Sequence, residues 1–190
     1  MDHGLDASLK QAQQGNHDAF RLLMEHNARA VYKVAFRMSG NQHDAEDLTQ
    51  ETFLRAWKYI GRFDGRASFS TWLYRICSNC ALDHHRSRGR RPAGVDDEEI
   101  FTRVASPEPS PERVASSSEV AALLAPALEE LSAMERVAFV MRHYEGLSIE
   151  SIAETLSIRE GAAKHAIFRA VQKIRRALEP VVSSKAARPL

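Results

Sequence analysis

The stretch PAGVDDEEIFTRVASPEPSPERVASSS, residues 92–118, most constrains what this chain folds into. It holds four prolines (Pro92, Pro107, Pro109 and Pro111) and ends in a serine run. Proline breaks helix interiors, and so polar a stretch buries too little apolar surface to offset the entropy of ordering it. Read as a flexible linker, it divides 190 residues into two small domains. No proline lies between Leu5 and Arg91, and helical periodicity returns from Glu119 to about Pro180. The expected domains are 1–91 and 119–180, with the linker 92–118 between them and a disordered tail, 181–190.

In the first domain the apolar spacing predicts four helices: Leu5 to Gln14, Asp18 to Met38, His43 to Tyr59, and one from Ser68 that stops before Pro92. Phe20, Leu23, Val31, Val34, Ala35 and Met38 give the second an apolar stripe. Ala45, Leu48, Thr52, Phe53 and Ala56 line one side of the third. Phe69, Trp72, Leu73, Ile76, Cys80 and Leu82 face inward on the fourth. No run alternates apolar and polar residues as a half-buried strand would. The predicted fold class is all-α, with two small helical domains on a flexible linker.

The net charge of +1 conceals local patches. Asp44, Glu46, Asp47 and Glu51 make Asn41–Glu51 −4, and the linker is also −4. Between Arg62 and Arg91 seven arginines oppose two aspartates, giving +5; Arg159 to Arg176 is again +5. Two basic patches separated by an acidic tether suit a protein that holds a polyanion at two points.

The sequence GLSIESIAETLSIREGAAKHAIFRAVQKIRRAL, starting at Gly146, reads as a helix-turn-helix. Ser148 is an N-cap, and Ile149, Ile152, Ala153 and Leu156 follow at i, i+3, i+4 and i+7. A turn through Ser157 and Ile158 leads to a second helix. Its expected buried side is Ala163, Ile167, Ala170, Val171, Ile174 and Leu178. Small Ala153 and Ala163 let the two helices approach closely, as a DNA-reading pair requires. The opposite face carries Lys164, His165, Phe168, Arg169 and Gln172, whose types fit base edges, thymine methyls and phosphates. An amphipathic hairpin packed in a larger bundle would show the same pattern.

With both halves in view, the chain resembles an extracytoplasmic-function (group four) RNA polymerase sigma factor. DAEDLTQETFLRAW and FSTWLYRICSN resemble that family's second region, and LSAMERVAFVMRHYEGLSIESIAETLSIREGAAKHAIFRAVQKIRRAL its fourth. The resemblance implies that Asp44, Glu46, Asp47, Gln50 and Glu51 dock on the clamp helices of the polymerase's largest subunit, with the flap as a second contact. It implies that Phe63, Gly65, Arg66, Ser68, Arg75 and Asn79 read and open the minus-ten promoter region. Trp72 and Phe69 lie on the buried stripe and are read as core, while Arg86, Arg88, Arg90 and Arg91 read either as further phosphate contacts or as a flexible basic tail. Arg159, Lys164, His165, Phe168 and Arg169 match the minus-thirty-five positions. Ala162, Ala163 and Ala166 stand where the family often has threonine, valine and arginine, so the expectation is either a lower affinity there or phosphate contacts supplied by Arg159 and Arg142. An anti-sigma factor is the further partner implied, a soluble domain wedged between the two modules.

No phosphate loop, nucleophile elbow or HExxH helix occurs, so the expected protein is no enzyme, with no cofactor, metal or small-molecule substrate. Without an apolar leader or a membrane-length apolar run, the expectation is a cytoplasmic protein that does not insert in a membrane. Cys77 and Cys80, with His84 near them, read either as small core residues or as a redox or metal pair. The other reading of the whole chain is a helix-turn-helix regulator whose N-terminal helices bind an effector or dimerise.

Overall fold

Small polar residues set the ends of the long helices. The structure, a computed structural model, describes residues 3–88 and 127–186, with side chains over 5–87 and 127–179. The linker 92–118, Arg90, Arg91, the Arg88 side chain and residues 187–190 lie outside this range. Helix α1, His3–Gln13, comes first. Asn16 opens α2, His17–Ser39, by accepting the Ala19 N–H at 3.0 Å, and Gly40 closes it. Asn41 follows at once and opens α3, Gln42–Tyr59, by accepting the Asp44 N–H at 2.8 Å. Helix α3 tightens into a 3₁₀ turn, Ile60–Arg62, and α4 covers Phe69–Arg88.

The two compact units each have their own core, the first built on Met1–Arg90 and the second mainly on later residues. In the first, all the expected stripe residues of α2 and α3 are buried. On α4, Leu73, Cys77, Cys80 and Leu82 are buried, but Phe69, Trp72 and Ile76 are half-buried at the edge of the cluster. One polar link crosses this core. Buried Asn27 donates to the Leu23 carbonyl (2.8 Å) and accepts from the Ser70 hydroxyl (2.9 Å), tying α4 to α2.

The second unit holds α5, Ala133–His143, then α6, Ile149–Leu156, and α7, Glu160–Ala186. Ser132 and Glu135 form a reciprocal capping box at the start of α5. The Ser148 hydroxyl accepts the Ser151 N–H at 3.1 Å, and Ala153 and Ala163 are buried as close helix approach requires. The buried face of α7 differs from the expected one. It runs Ala163, Ala166, Ala170 and Ile174, leaving Val171 39% exposed. At 100° per residue, the stripe through Ala170 excludes its immediate neighbour. Helix α7 also crosses Pro180 and ends at Ala186, six residues into the expected tail. A helix already nucleated propagates cheaply and tolerates the one hydrogen bond a proline removes. Among the described residues there is no strand.

Candidate polymerase and nucleic-acid interfaces

The acidic half of α3 is less acidic at its surface than in its sequence. Asp44 is buried: Asn41 donates its side-chain amide to Asp44 Oδ2 at 2.8 Å, and Asp44 Oδ1 lies 3.4 Å from His84 Nε2. It occupies the third helical position, where a carboxylate completes the cap, and its side chain is turned away from any docking partner. Glu51 pairs with Arg55 at 2.6 Å, and Arg55 continues to Asp83 on α4 at 3.0 Å. Glu46, Asp47 and Gln50 remain exposed together, on successive turns of one face.

The loop before α4 is built from its own residues. Asp64 accepts the Arg66 N–H at 3.1 Å and lies 3.1 Å from Arg66 Nε. Gly65, at φ 74°, sits between them in the left-handed region that favours glycine. Ser68 accepts the Thr71 N–H at 3.1 Å and so caps the first turn of α4. Phe63 is buried, edge-on to Phe69 (centroids 5.7 Å apart) and tilted on Trp72 (5.3 Å). It forms the floor of the loop and offers no free face for a base. Arg75 is half-buried and Asn79 exposed. Sequence reasoning missed Gln13, whose side-chain amide donates to the carbonyls of Phe63 (2.8 Å) and Ile60 (3.3 Å). A polar residue ending a helix gives no local signal of a partner fifty positions away.

In the second unit the cations of α7 divide. Arg169 Nε lies 2.9 Å from Glu135 Oε1, and Lys173 Nζ 2.8 Å from Glu135 Oε2. Lys173 also donates to the Glu130 carbonyl at 2.9 Å. Burial pushes the Glu135 carboxyl up, but Lys173, the Ser132 N–H and Arg169 outweigh it and hold the group at about 2. Lys164 pairs with Glu160 at 3.6 Å. Arg142 donates to the Leu147 carbonyl at 2.9 Å, closing the turn between α5 and α6 instead of standing free for phosphate. His165, Arg159 and Phe168 are exposed, Phe168 by 60%. Ala163 and Ala166 are buried, so a longer side chain at either position would enter the core and not the solvent.

Cys77 and Cys80 are buried on α4. Burial pushes the Cys80 thiol up to about 11 despite the nearby Arg55 guanidinium. A protonated, inaccessible thiol is a poor nucleophile and metal ligand, so both are core residues. Among the described residues no group of three or more His, Cys, Asp or Glu side chains is placed to hold a metal ion, and no helix is long and apolar enough to cross a membrane.

An acidic helix beside a basic loop in one helical unit, and a helix-turn-helix in the other, define a two-module transcription factor. Residues 23–91 match the family described as Sigma-70 region 2, and residues 121–174 that described as Sigma-70, region 4. Over 180 residues the chain is 34% identical to the RNA polymerase sigma-H factor of Pseudomonas aeruginosa, covering 92% of this chain and 93% of that protein. It is 31% identical to the ECF RNA polymerase sigma factor SigW of Bacillus subtilis, covering 94% and 98%. Identity is 40% to ECF RNA polymerase sigma factor SigE of Mycolicibacterium smegmatis, over 80% of this chain but only 59% of that longer protein. Among solved structures, the sigma factor RpoE in complex with the anti-sigma factor NepR from Bartonella quintana matches with a TM-score of 0.65 at 25% identity, covering 84% of this chain and 96% of that one. CnrH in complex with the cytosolic domain of CnrY matches with a TM-score of 0.62 at 26% identity, covering 94% and 99%. The chain belongs to the ECF RNA polymerase sigma factor family.

Proposed function

We propose that the protein initiates transcription as an ECF sigma factor, binding core RNA polymerase and directing it to promoters. The observation that carries the reading is the order of the two matched regions along one chain, with an exposed Glu46–Asp47–Gln50 face on the first. Those three residues contact the clamp helices of the largest polymerase subunit. Asp44 and Glu51 hold the helix that presents them.

The Asp64–Ser68 loop, with Asn79 and Arg75 on α4, receives the minus-ten region, and Phe63 supports it from below. His165, Phe168 and Lys164 on α7, with Arg159 before it, face the minus-thirty-five region, while Arg169 positions that helix through Glu135. Such a protein makes no bonds itself: binding energy in the assembled polymerase drives opening, in the cytoplasm where the polymerase works. Two of the matched structures are complexes, one of them with a protein described as an anti-sigma factor. A regulatory partner of that kind, covering the polymerase- and DNA-binding faces, is part of the proposal.

The test is transcription from genomic fragments by core RNA polymerase with and without the protein. New promoter-specific transcripts are expected, and they should vanish when Asp47→Ala and Gln50→Ala are combined. Duplex binding by the protein alone, without new transcripts, would instead establish a stand-alone regulator.

A further inference from the structure

Glu135 does more than its place in the capping box requires. The box uses one oxygen: Glu135 Oε2 accepts the Ser132 N–H at 2.9 Å, and the Lys173 ammonium donates to the same oxygen at 2.8 Å. Oε1 is left to Arg169, whose Nε donates to it at 2.9 Å across 34 positions of sequence. The two ends of that contact differ in exposure: the Arg169 side chain is 59% exposed and the Glu135 side chain 5%. A buried, anchored carboxylate therefore holds an arginine that reaches outward from α7, on the face that carries exposed His165 one turn before it.

The point of attachment decides what the guanidinium can still do. Nε lies on one edge of the planar group, so with Nε on Glu135 both Nη groups remain at the free end. Two donors in that fork match the O6 and N7 acceptors on the major-groove edge of guanine. An unrestrained arginine loses much rotamer freedom on binding a base, and one already held by its Nε loses less. Charge permits the arrangement. A lone carboxylate would cancel the charge of the arginine it holds, but Lys173 leaves the cluster of three net positive, as a site beside DNA requires.

We propose that Glu135 is a positioning residue for base recognition: it holds Arg169 by Nε and aims the two Nη groups at O6 and N7 of a guanine in the minus-thirty-five region. The inference rests on the sigma factor reading and gives the Glu135 contact a role in specificity beyond fixing α7. A phosphate is the poorer fit for Arg169. Phosphate oxygens accept from many directions and carry no sequence information, so an arginine serving them gains little from being locked to a carboxylate that weakens its charge.

The test uses holoenzyme assembled from core RNA polymerase and the full chain. The probe is a promoter fragment from the genomic transcription assay with its minus-thirty-five segment randomised, and the bound fragments are sequenced. The wild type is expected to prefer guanine at one position by about 5- to 150-fold, the discrimination of one bidentate pair. Arg169→Ala, a change at an exposed position that leaves the cap intact, should abolish that preference and keep those at other positions. Glu135→Gln is the informative variant. Its amide oxygen still accepts from Ser132 and Lys173, while its NH2 group meets the Arg169 Nε donor and breaks that one contact. It should lower the guanine preference by roughly 2- to 10-fold at that position, the worth of one hydrogen bond. Combined with Arg169→Ala it should change nothing further. An even loss of affinity for all sequences in Glu135→Gln, or an added loss in the double variant, makes Glu135 a structural cap alone and overturns the proposal. A guanine preference that survives Arg169→Ala overturns it as well. So does a wild type that drives new transcripts without any guanine preference, and there the sigma factor reading stands. A wild-type chain that binds no core polymerase overturns both.

Discussion

In the first unit the charges of α3 and the turn after it are segregated: Glu46 and Asp47 stand exposed near one end, and Lys58 and Arg62 lie at the other, without a carboxylate partner among the described residues. In the second unit three cations of α7 are drawn back onto carboxylates, Lys164 onto Glu160 and both Arg169 and Lys173 onto Glu135, while Arg175 and Arg176 are exposed. The two basic segments are equal at +5 in the sequence, yet their described cations are held differently. A buried carboxylate with two cations on it fixes a helix; an unpaired cation is available to a polyanion. In the proposed function the Glu135 cluster fixes α7, and the surface that helix offers to DNA is His165, Phe168 and the exposed residues beside them.

The largest expected effect comes from removing Glu135. Glu135→Ala deletes a helix cap and leaves Arg169 and Lys173 without their partner, costing roughly 2–4 kcal/mol after allowance for the exposure of those cations. The loss should be confined to the second unit. Both tryptophans, Trp57 and Trp72, lie in the first, so urea unfolding followed by tryptophan fluorescence should be unmoved while the circular dichroism transition splits or shifts down. Coincident shifts of both signals would show the two cores to be coupled. The same carboxylate gives a pH test. Its folded value of about 2 lies below the usual 4.3 or so, so its stabilisation is complete above about pH 4.3 and is lost as pH falls towards 2. The second unit should show this acid-sensitive step, and Glu135→Gln should flatten it.

Asp44 sharpens the contrast within α3. Asp44→Ala removes the reciprocal cap and the His84 contact, at about 1–2 kcal/mol, measurable as a lower tryptophan-detected unfolding midpoint. Once folded, this variant should still bind core polymerase. Asp47→Ala should do the reverse, leaving stability within about 0.5 kcal/mol and weakening core binding. If Asp44→Ala lost core affinity at unchanged stability, the docking face would extend further back along the helix than the exposed residues indicate.

These residues also show where the sequence is legible. The helices and their buried stripes follow from a local period, and Phe20, Leu23, Ala45 and Phe53 are all inside as that period requires. Val171 is out because the stripe drifted by one residue, which a helix turns into a 100° error. Asp44 was readable in principle: Asn41 three positions before it makes a cap, although an acid among acids looks like surface. The Arg169–Glu135 and Gln13–Phe63 contacts were not readable, because they join positions 34 and 50 apart through tertiary packing that leaves no periodic trace.

Gln13 allows a smaller test. Gln13→Leu removes two donors from the Ile60 and Phe63 carbonyls, at about 1 kcal/mol if water replaces one of them. The useful readout is functional. Promoter opening, followed by permanganate reactivity of the minus-ten thymines, should fall several-fold while core affinity stays constant, and Gln13→Asn should not rescue it because its side chain is one methylene too short. Equal loss of core affinity would mean that α1 supports the whole unit and not this turn.

The smallest effect concerns the turns themselves. The first unit uses glycine at each positive-φ turn described, whereas the helix-turn-helix places Ser157 at φ 53°. That geometry closes α6: the Ile158 N–H donates to the Ala153 carbonyl at 3.0 Å and the Ser157 N–H to the Glu154 carbonyl at 3.2 Å. A side chain in the left-handed region costs about 1 kcal/mol, partly offset in a glycine variant by the greater freedom of its unfolded chain. Ser157→Gly should therefore stabilise the second unit by roughly 0.5 kcal/mol, raising only the circular dichroism midpoint. A destabilised Ser157→Gly variant would mean that the serine side chain contributes more to this turn than its backbone strain costs.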